Sequence, residues 1–144
     1  MIDARAGTTG SVVSSGVDAQ KQALEHSGEW SGGRLNLAIE SDGRLVGTIQ
    51  ARGEARFAPP GVCEIGIVLF DGERGKGVGS EAVRLFAEWL LENGYPRVQA
   101  TTDLRNAPMR RVLEKLGFAE EGVLRAFMPD GDGRADYVLY ARTR

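Results

Sequence analysis

The chain has 144 residues, of which 42% are hydrophobic and 26% charged, and its formal net charge is −2. This length suits one domain with one core and is too short to expect two. The slightly acidic balance argues against the broad basic surface of a nucleic-acid-binding protein.

The scarcity of cysteine and histidine excludes several kinds of site. The only cysteine, Cys63, cannot form an intramolecular disulfide, and with the only histidine, His26, it cannot build a metal cluster or a Ser-His-Asp triad. No secretory leader opens the chain, and no apolar run approaches the ~18 residues of a membrane span. We therefore expect a cytoplasmic protein without a metal and without a membrane partner.

The first part of the chain carries weak structural signals. Residues 1–16 are rich in Gly, Ser and Thr and show no helical period, so we expect a poorly ordered segment followed by a single domain over 17–144. Residues 17–27, including His26, could form a short surface helix. Residues 34–40 alternate between apolar and polar, and Ser41-Asp42-Gly43 predicts a turn into a second strand over 45–57.

The rest of the chain alternates strands and helices. Residues 62–70 predict a strong strand, 77–93 a helix, 97–102 a short strand, and a further helix begins at Asn106 and ends at Gly117. Residues 118–129 and 136–142 predict a hairpin around the turn at 130–133. The core-facing stripe of the first helix is predicted to comprise Val78, Ala82, Leu85, Phe86, Trp89 and Leu90. The pattern as a whole predicts a mixed α/β sheet flanked by helices.

Residues 73–79 read Glu-Arg-Gly-Lys-Gly-Val-Gly and lie between the apolar strand and the first helix. Glycines let successive N–H groups turn inward on an anion, and the helix N-terminus adds about half a positive charge. Arg74 and Lys76 add cationic cover. A P-loop is excluded because Gly77 follows Gly75-Lys76 where Ser or Thr is needed. The G-x-G-x-G spacing in mid-chain also disfavours a dinucleotide fingerprint.

Two motifs carry a resemblance to one family. Arg74, Gly77 and Gly79 fill the pattern R/Q-x-x-G-x-G/A, and the chain here resembles the GNAT superfamily of CoA-dependent N-acyltransferases. Residues 106–118 and 120–125 resemble the N-x-x-S-x-x-x-L-E-K-L-G-F and E-G-x-L-R signature of the Rim-type branch, which acetylates ribosomal-protein N-termini. The resemblance covers approximately residues 34–142.

The resemblance implies a GNAT-like fold and acetyl-CoA as co-substrate, with no metal. It places the pantetheine arm beside the backbone of Ile67, Val68 and Leu69, and the pyrophosphate on the loop and helix start. Asn106 would contact the CoA arm, although it fits a helix N-cap equally well. The cofactor-binding residues so implied are Ile67, Val68, Leu69, Arg74, Gly75, Lys76, Gly77, Val78, Gly79, Ser80 and Asn106.

The N-terminal part looks short beside family members, which usually have a further strand and helix before the first hairpin. An uncovered sheet edge invites association. Either residues 11–15 return as a strand or a partner chain covers the edge, so homodimerisation is a hypothesis.

Glu64 is the best candidate for the catalytic base. It lies in the strand before the loop, on the face shared with Gly66 and Val68, and a carboxylate is often found at this strand position in the family. A peptide α-amine has a pKa near 8 and a lysine amine near 10.4, so the acceptor must lose a proton. The alternative is a solvated glutamate at the start of a strand.

The sequence offers no clear general acid. Met109 and Leu113 stand where relatives carry Ser or Tyr, and Tyr137 or Tyr140 could substitute, although packing is the commoner role of strand tyrosines. Cys63 alternates onto the apolar face and is expected to be a buried thiol. The predicted function is therefore N-acetyl transfer from acetyl-CoA to a primary amine, either a protein N-terminus or a small molecule. The alternative is a non-catalytic CoA-binding or dimeric interaction module.

Overall fold

The structure is a computed structural model that describes residues 2–3, 28–53 and 58–144. Its elements in chain order are β1 (Ile2–Asp3), β2 (Arg34–Ser41), β3 (Arg44–Arg52), β4 (Val62–Leu69), α1 (Val78–Glu92), β5 (Arg97–Asp103), α2 (Ala107–Lys115), β6 (Ala119–Asp130) and β7 (Gly133–Thr143). The strands described form one sheet in the order β1-β2-β3-β4-β5-β7-β6. β4 and β5 are parallel and the other neighbours are antiparallel, which confirms the predicted mixed sheet.

The β2–β3 hairpin forms where the sequence predicts it. Asp42 and Gly43 have φ angles of 51° and 74°. Positive φ at both central residues is the geometry of the tight two-residue turn that matches the twist of paired strands. The predicted second strand extends to residue 57, whereas β3 ends at Arg52 and residues 54–57 lie outside the described part.

The N-terminal edge differs in part from the prediction. Ile2 and Asp3 pair antiparallel with Ile39 and Ala38, so two residues of the segment expected to be poorly ordered belong to the sheet. They cover part of the β2 edge, because their main-chain groups pair with it. The predicted strand at 11–15, the helix at 17–27 and His26 lie outside the described residues.

Helix α1 packs its apolar stripe on one face of the sheet. The predicted stripe is correct at Ala82, Phe86 and Leu90 but wrong at Trp89, which is 44% exposed and stacks on Phe86 with ring centroids 6.2 Å apart. The buried residues form two adjacent rows along the helix, one through residues 82, 86 and 90 and the other through 83, 87 and 91. The centre of the buried face lies between these rows, so Trp89 points toward solvent. The buried residues of the helix are Ala82, Val83, Phe86, Ala87, Leu90 and Leu91.

Helix α2 joins the same hydrophobic core as α1, and the last hairpin follows it. Leu113 is the buried anchor of α2, and Gly117, with φ 85°, follows the helix in the left-handed conformation that commonly ends helices. β6 and β7 pair across the turn at Gly131. Within the described ranges, no helix has the length and apolarity needed to cross a membrane.

Candidate active site

Strands β4 and β5 separate at one end of the sheet. Their register partners are Val62 with Arg97, Cys63 with Val98, and Glu64 with Gln99, and the register between these two strands stops there. Beyond that point β4 continues to Leu69 beside β3, and β5 continues to Asp103 beside β7. Because parallel strands carry their carboxyl ends at the same edge, the sheet opens into a split at that edge.

Strand alternation decides which main-chain groups of β4 face the split. The Phe70 N–H donates to the Val46 carbonyl at 2.9 Å, so even-numbered residues of β4 direct their main-chain groups toward β3. Consistent with this, a Cβ added at Gly47 would lie 2.3 Å from the Val68 carbonyl oxygen. Ile67 and Leu69 therefore present N–H and C=O groups to the split, whereas those of Val68 face β3.

The glycine loop stands at the open end of the split. Gly75 and Gly77 have φ angles of 79° and 78°, and an added Cβ at either would meet no atom within 4 Å. Gly77 is the N-cap of α1 and no side chain caps that helix end. The N–H groups of Val78, Gly79 and Ser80 consequently point out of the helix without an intrahelical partner. These open, inward-turning amides suit a phosphate.

Gly79 brings the first turn of α1 onto the end of β4. A Cβ added there would lie 3.2 Å from Leu69 Cδ1 and 3.8 Å from Ile67 Cδ1. The absence of a side chain thus lets the positive end of the helix approach the split closely. The three glycines have different roles: Gly75 and Gly77 allow positive φ angles, and Gly79 allows close packing.

Charged side chains surround the loop. Glu73 binds Arg44 at 2.9 Å and Lys76 at 3.5 Å, and the hydrogen bond from Arg44 lowers the pKa of the Glu73 carboxyl. In the part of the chain that the structure describes, Arg74 is exposed and makes no ion pair. The loop is thus net cationic, with Arg74 available to an anion and Lys76 partly occupied by Glu73.

Asn106 lies across the split from the glycine loop. Its Oδ1 accepts a hydrogen bond from the Met109 N–H at 3.3 Å, which makes it the N-cap of α2. Asn106 follows the carboxyl end of β5, just as the glycine loop follows the carboxyl end of β4. Its side chain is exposed, so the amide Nδ2 can donate to a ligand while Oδ1 caps the helix.

Glu64 occupies the point at which β4 and β5 part. Its Oε2 accepts a hydrogen bond from Arg52 at 3.0 Å, and the side chain is 23% exposed. The structure places it on the same face as Gly66 and Val68, as the alternation predicts. Arg52 binds Oε2, so the other carboxylate oxygen, Oε1, takes no part in this ion pair. A proton acceptor therefore stands beside the innermost part of the split.

Sequence reasoning missed two features beside Glu64. One is Arg52, the cross-strand partner that orients the carboxylate. The other is a polar row on β3, formed by Thr48, Gln50 and Arg52, which faces the same side. The signal was present as polar residues alternating with the apolar Ile49 and Ala51, but this pattern is also typical of a strand with one solvated face.

Cys63 is confirmed as a buried thiol. Its side chain is fully buried and packs in the core, and desolvation raises its pKa to about 12. The folded chain therefore keeps this thiol protonated at pH 8. Because the thiolate is the nucleophile, an acyl-enzyme on Cys63 is disfavoured.

We expect Cys63→Ala to leave acetyl transfer within about twofold of wild type, since the thiol forms no part of the reaction. A thiol-specific chromogenic disulfide should label the native chain at least roughly 1,000-fold more slowly than the urea-unfolded chain at pH 8. Rapid labelling of the folded protein, together with loss of activity in the variant, would contradict this assignment.

Tyr140 on β7 is buried, and its hydroxyl bonds to two partly or fully exposed side chains of α2. Its hydroxyl donates to Glu114 Oε1 at 2.9 Å and accepts from Arg110 Nε at 3.1 Å. The ring is fully buried, and this burial raises the pKa of the hydroxyl. Tyr137 instead packs against Phe127, with the two rings tilted by 44° and their centroids 5.5 Å apart. Both tyrosines therefore act in packing.

Tyr140→Phe should lower stability by roughly 1–3 kcal/mol, because Arg110 and Glu114 lose a shared partner. Turnover should stay within about threefold, whereas removal of a general acid would reduce it by roughly 100-fold or more. Thermal melting and steady-state kinetics on the same preparation separate the two effects. A folded variant with turnover reduced 100-fold would restore Tyr140 as an acid.

Within the ranges described, no group of three or more His, Cys, Asp or Glu side chains could hold a metal ion.

Comparison with known families gives a match over most of the chain. Residues 9–119 match the family described as acetyltransferase (GNAT) domain. The SPbeta prophage-derived uncharacterized N-acetyltransferase YokL of Bacillus subtilis (strain 168) is 32% identical over 109 residues, which are 75% of this chain and 60% of that protein. The chain thus spans about three-fifths of the length of this relative.

Solved structures share the fold. Mycobacterium smegmatis RimJ in complex with CoA-disulfide is similar with a TM-score of 0.71 and 26% identity, covering 85% of this chain and 56% of that one. The microcin C7 self-immunity acetyltransferase MccE, solved with acetyl-CoA and AMP, has a TM-score of 0.76 and 18% identity, covering 89% and 69%. The second likeness concerns the fold alone.

Proposed function

This chain belongs to the GNAT acetyltransferase family, and from that premise we propose that it moves an acetyl group from acetyl-CoA to a primary amine by direct attack in a ternary complex. The observation that carries the proposal is the split between β4 and β5, which opens beneath the uncapped N-terminus of α1. The acceptor is a protein N-terminus or a small-molecule amine.

The first requirement is a held thioester. The pyrophosphate of CoA fits the amides from Gly75 to Ser80, with Arg74 as the available cation. The pantetheine arm, which carries amide groups, can pair with the main chain of Ile67 and Leu69 as an added strand would. The main-chain groups of Val68 face β3, so this residue contributes only its side chain, which lies on the same face of β4 as Glu64. This route delivers the thioester toward the closed end of the split.

The second requirement is a neutral amine. Amines of pKa near 8 to 10.4 are mostly protonated at neutral pH, and only the neutral form has a lone pair for attack. Glu64 accepts the proton, directly or through one water, while Arg52 keeps the carboxylate oriented through Oε2. Glu64 lies in the last register pair between β4 and β5, so it would be close to the amine at the point where the thioester is delivered.

The third step is transfer itself. The amine nitrogen bonds to the thioester carbonyl carbon, and the carbonyl oxygen gains negative charge in the tetrahedral intermediate. An unpaired N–H on the split side of β4 can stabilise that oxygen. The carbon–sulfur bond then breaks, and the sulfur leaves with the electron pair. The products are the amide and the CoA thiol, after the nitrogen releases its surplus proton to solvent and the sulfur takes up a proton.

Thiolate departure needs little help from the protein. Met109 is half-buried and Leu113 is fully buried, and neither side chain carries a transferable proton. A thiol of pKa near 8.5 is a tolerable leaving group without an acid. Solvent, or the proton first taken from the amine, can protonate the sulfur.

Acceptor-dependent release of free CoA tests the proposal. The purified chain is incubated with acetyl-CoA and a panel comprising glycinamide, an alanine-initiated tripeptide, spermidine and glucosamine. Thiol release that requires an amine, with a mass gain of one acetyl group on that amine, is the expected result. A chain that CoA stabilises against melting, but that releases no thiol with any amine, would instead be a non-catalytic CoA-binding module.

A further inference from the structure

Arg52 has more hydrogen-bonding capacity than its pairing with Glu64 uses. Its Nη2 donates to Glu64 Oε2 at 3.0 Å, and its Nε is buried without a partner in the part of the chain that the structure describes. Nη1 makes no hydrogen bond with those residues either, but it is not buried, so it faces solvent. A guanidinium carries five N–H donors, and Arg52 therefore has N–H groups available to a ligand.

Both members of this ion pair are partly exposed. The side chain of Arg52 is 32% exposed and that of Glu64 is 23% exposed. The two residues are register partners on antiparallel strands, so their side chains lie on one face of the sheet. Helix α1 packs on the other face, where Gly79 lies against the side chains of Ile67 and Leu69. A molecule that approaches the face away from α1 therefore meets Arg52 and Glu64 together.

Two arginines lie side by side at this end of the sheet. Arg34 on β2 is the register partner of Arg52, so the two positively charged residues are directly opposite each other. Like charges in that relation are unfavourable, and an anion beside them lowers the repulsion. Hydrogen bonds between a guanidinium and a carboxylate or phosphate are also roughly twice as strong as those between neutral groups. An anion is thus the group that Arg52 Nη1 would bind best.

Arg97 illustrates an arginine whose donors are already used. It lies on the same face as Glu64, on the neighbouring strand β5. Its Nε donates to Gln99 Oε1 at 3.1 Å, and its two terminal nitrogens donate to Glu121 at 3.0 and 2.6 Å. All three nitrogens of Arg97 have partners, whereas among the described residues Arg52 has a side-chain partner for Nη2 alone.

We propose that Arg52 recognises an anionic group of the acceptor, a carboxylate or a phosphate that lies a few bonds from the reacting amine. This inference rests on the proposed function. Glu64 takes the proton of the amine while Arg52 Nη1 donates to the anion, and the ion pair between them keeps the two side chains together. The acceptor is then a small amino acid or a phosphorylated amine, and simple alkylamines and polyamines are poor substrates.

The test compares acceptors that differ in the anion. β-Alanine is paired with β-alaninamide, and phosphoethanolamine with ethanolamine. The measured quantity is the ratio of kcat/KM for the acceptor with the anion to kcat/KM for its partner without it, in the full chain. We expect wild type to prefer the anionic acceptor in at least one pair, which identifies the anion. Arg52→Gln should lower this ratio about 10-fold, the usual loss for a hydrogen bond to a charged group.

This ratio distinguishes recognition of the anion from orientation of the base. An arginine that only orients Glu64 would, when replaced, slow both acceptors of a pair equally. Both rates are measured on one preparation, so the ratio does not depend on the fraction of folded protein. Arg52→Lys keeps the positive charge without the planar donor fork and should retain part of the preference. The KM for acetyl-CoA should not change in either variant.

Arg97→Gln is the matched control. It removes the same charge from the same face, but from an arginine whose three nitrogens already have partners. The ratio should stay within about twofold of wild type, because the donors of Arg97 are not available to the acceptor.

Four results would overturn the inference. A wild type without preference for the anion in either pair, or an unchanged ratio in Arg52→Gln, would remove Arg52 from acceptor recognition and leave the proposed function intact. An equal fall of the ratio in Arg97→Gln would assign the preference to the general positive charge of this face. A chain that acetylates no amine, in these pairs or in the earlier panel, would remove the proposed function, and the role of Arg52 would fall with it.

Discussion

Glu64→Gln should lower kcat/KM for the amine by about 100-fold near neutral pH, at the lower end of the range found for removal of a general base. The amide keeps the size of the side chain but cannot accept the proton. CoA binding should persist, because Glu64 lies at the closed end of the split and the glycine loop lies at the open end. The loss should appear in steady-state thiol release.

The pH dependence of this loss follows from the ionisation of the substrate. Below the pKa of the amine, the wild-type chain can take a proton from a bound ammonium, whereas the variant must capture the small neutral fraction. Above that pKa the amine arrives neutral and needs no base. The ratio of wild-type to variant rates should therefore narrow as pH rises toward the pKa of the acceptor.

Glu121→Gln provides the control for loss of a carboxylate. Glu121 also pairs with an arginine, Arg97, at 2.6 Å, but it lies on β6, the outer strand of the sheet, which β7 separates from β5. Its replacement removes the same charge and a similar ion pair, and activity should remain within about twofold because surface pairs contribute little. Equal activity in both variants at every pH would remove Glu64 from the mechanism.

Gly77→Asp should abolish most CoA binding, with a loss of affinity of about 10-fold or more, equivalent to roughly 1.4 kcal/mol. The new carboxylate would stand at the uncapped N-terminus of α1, where it repels the phosphates and itself occupies the free amides. An added Cβ meets no atom within 4 Å, so the chain should still fold. The readout is the rise in melting temperature on addition of CoA.

Two further variants separate charge from backbone strain. Gly77→Asn has nearly the same shape, tolerates positive φ and carries no charge, so it should retain more CoA binding. Gly131→Asp places a carboxylate at a glycine with φ 58° and open space in the β6–β7 turn, outside the glycine loop. That control should bind CoA like wild type. Undiminished CoA stabilisation of Gly77→Asp would show that the phosphates bind elsewhere.

Much of the architecture could be read from local patterns. The hairpin turn at Asp42-Gly43, the strand before the loop, the helix after it and the N-cap at Asn106 all follow from residue types within a few positions of one another. The stripe of α1 was less accurate, because helical period alone does not say where the centre of the buried face lies. Trp89 is exposed for that reason.

The site was only partly predictable. The glycine loop at Gly75, Gly77 and Gly79 could be identified from the sequence, since positive φ and close approach are glycine properties, and its binding of an anion stays a prediction. The direction of main-chain groups in β4 depends on pairing with β3, and this leaves Ile67 and Leu69, but not Val68, facing the split. Strand pairing joins distant segments, so no local pattern reports it.

By itself the sequence determined the glycine loop, the α1 start behind it and the position of Glu64 on its strand, because each depends on neighbours in the chain. Only the tertiary structure decided where β4 and β5 part, which arginine holds Glu64, and that Thr48 and Gln50 are buried beside it. These features depend on register between strands that the sequence separates, and polar alternation alone does not distinguish a solvated face from a buried one.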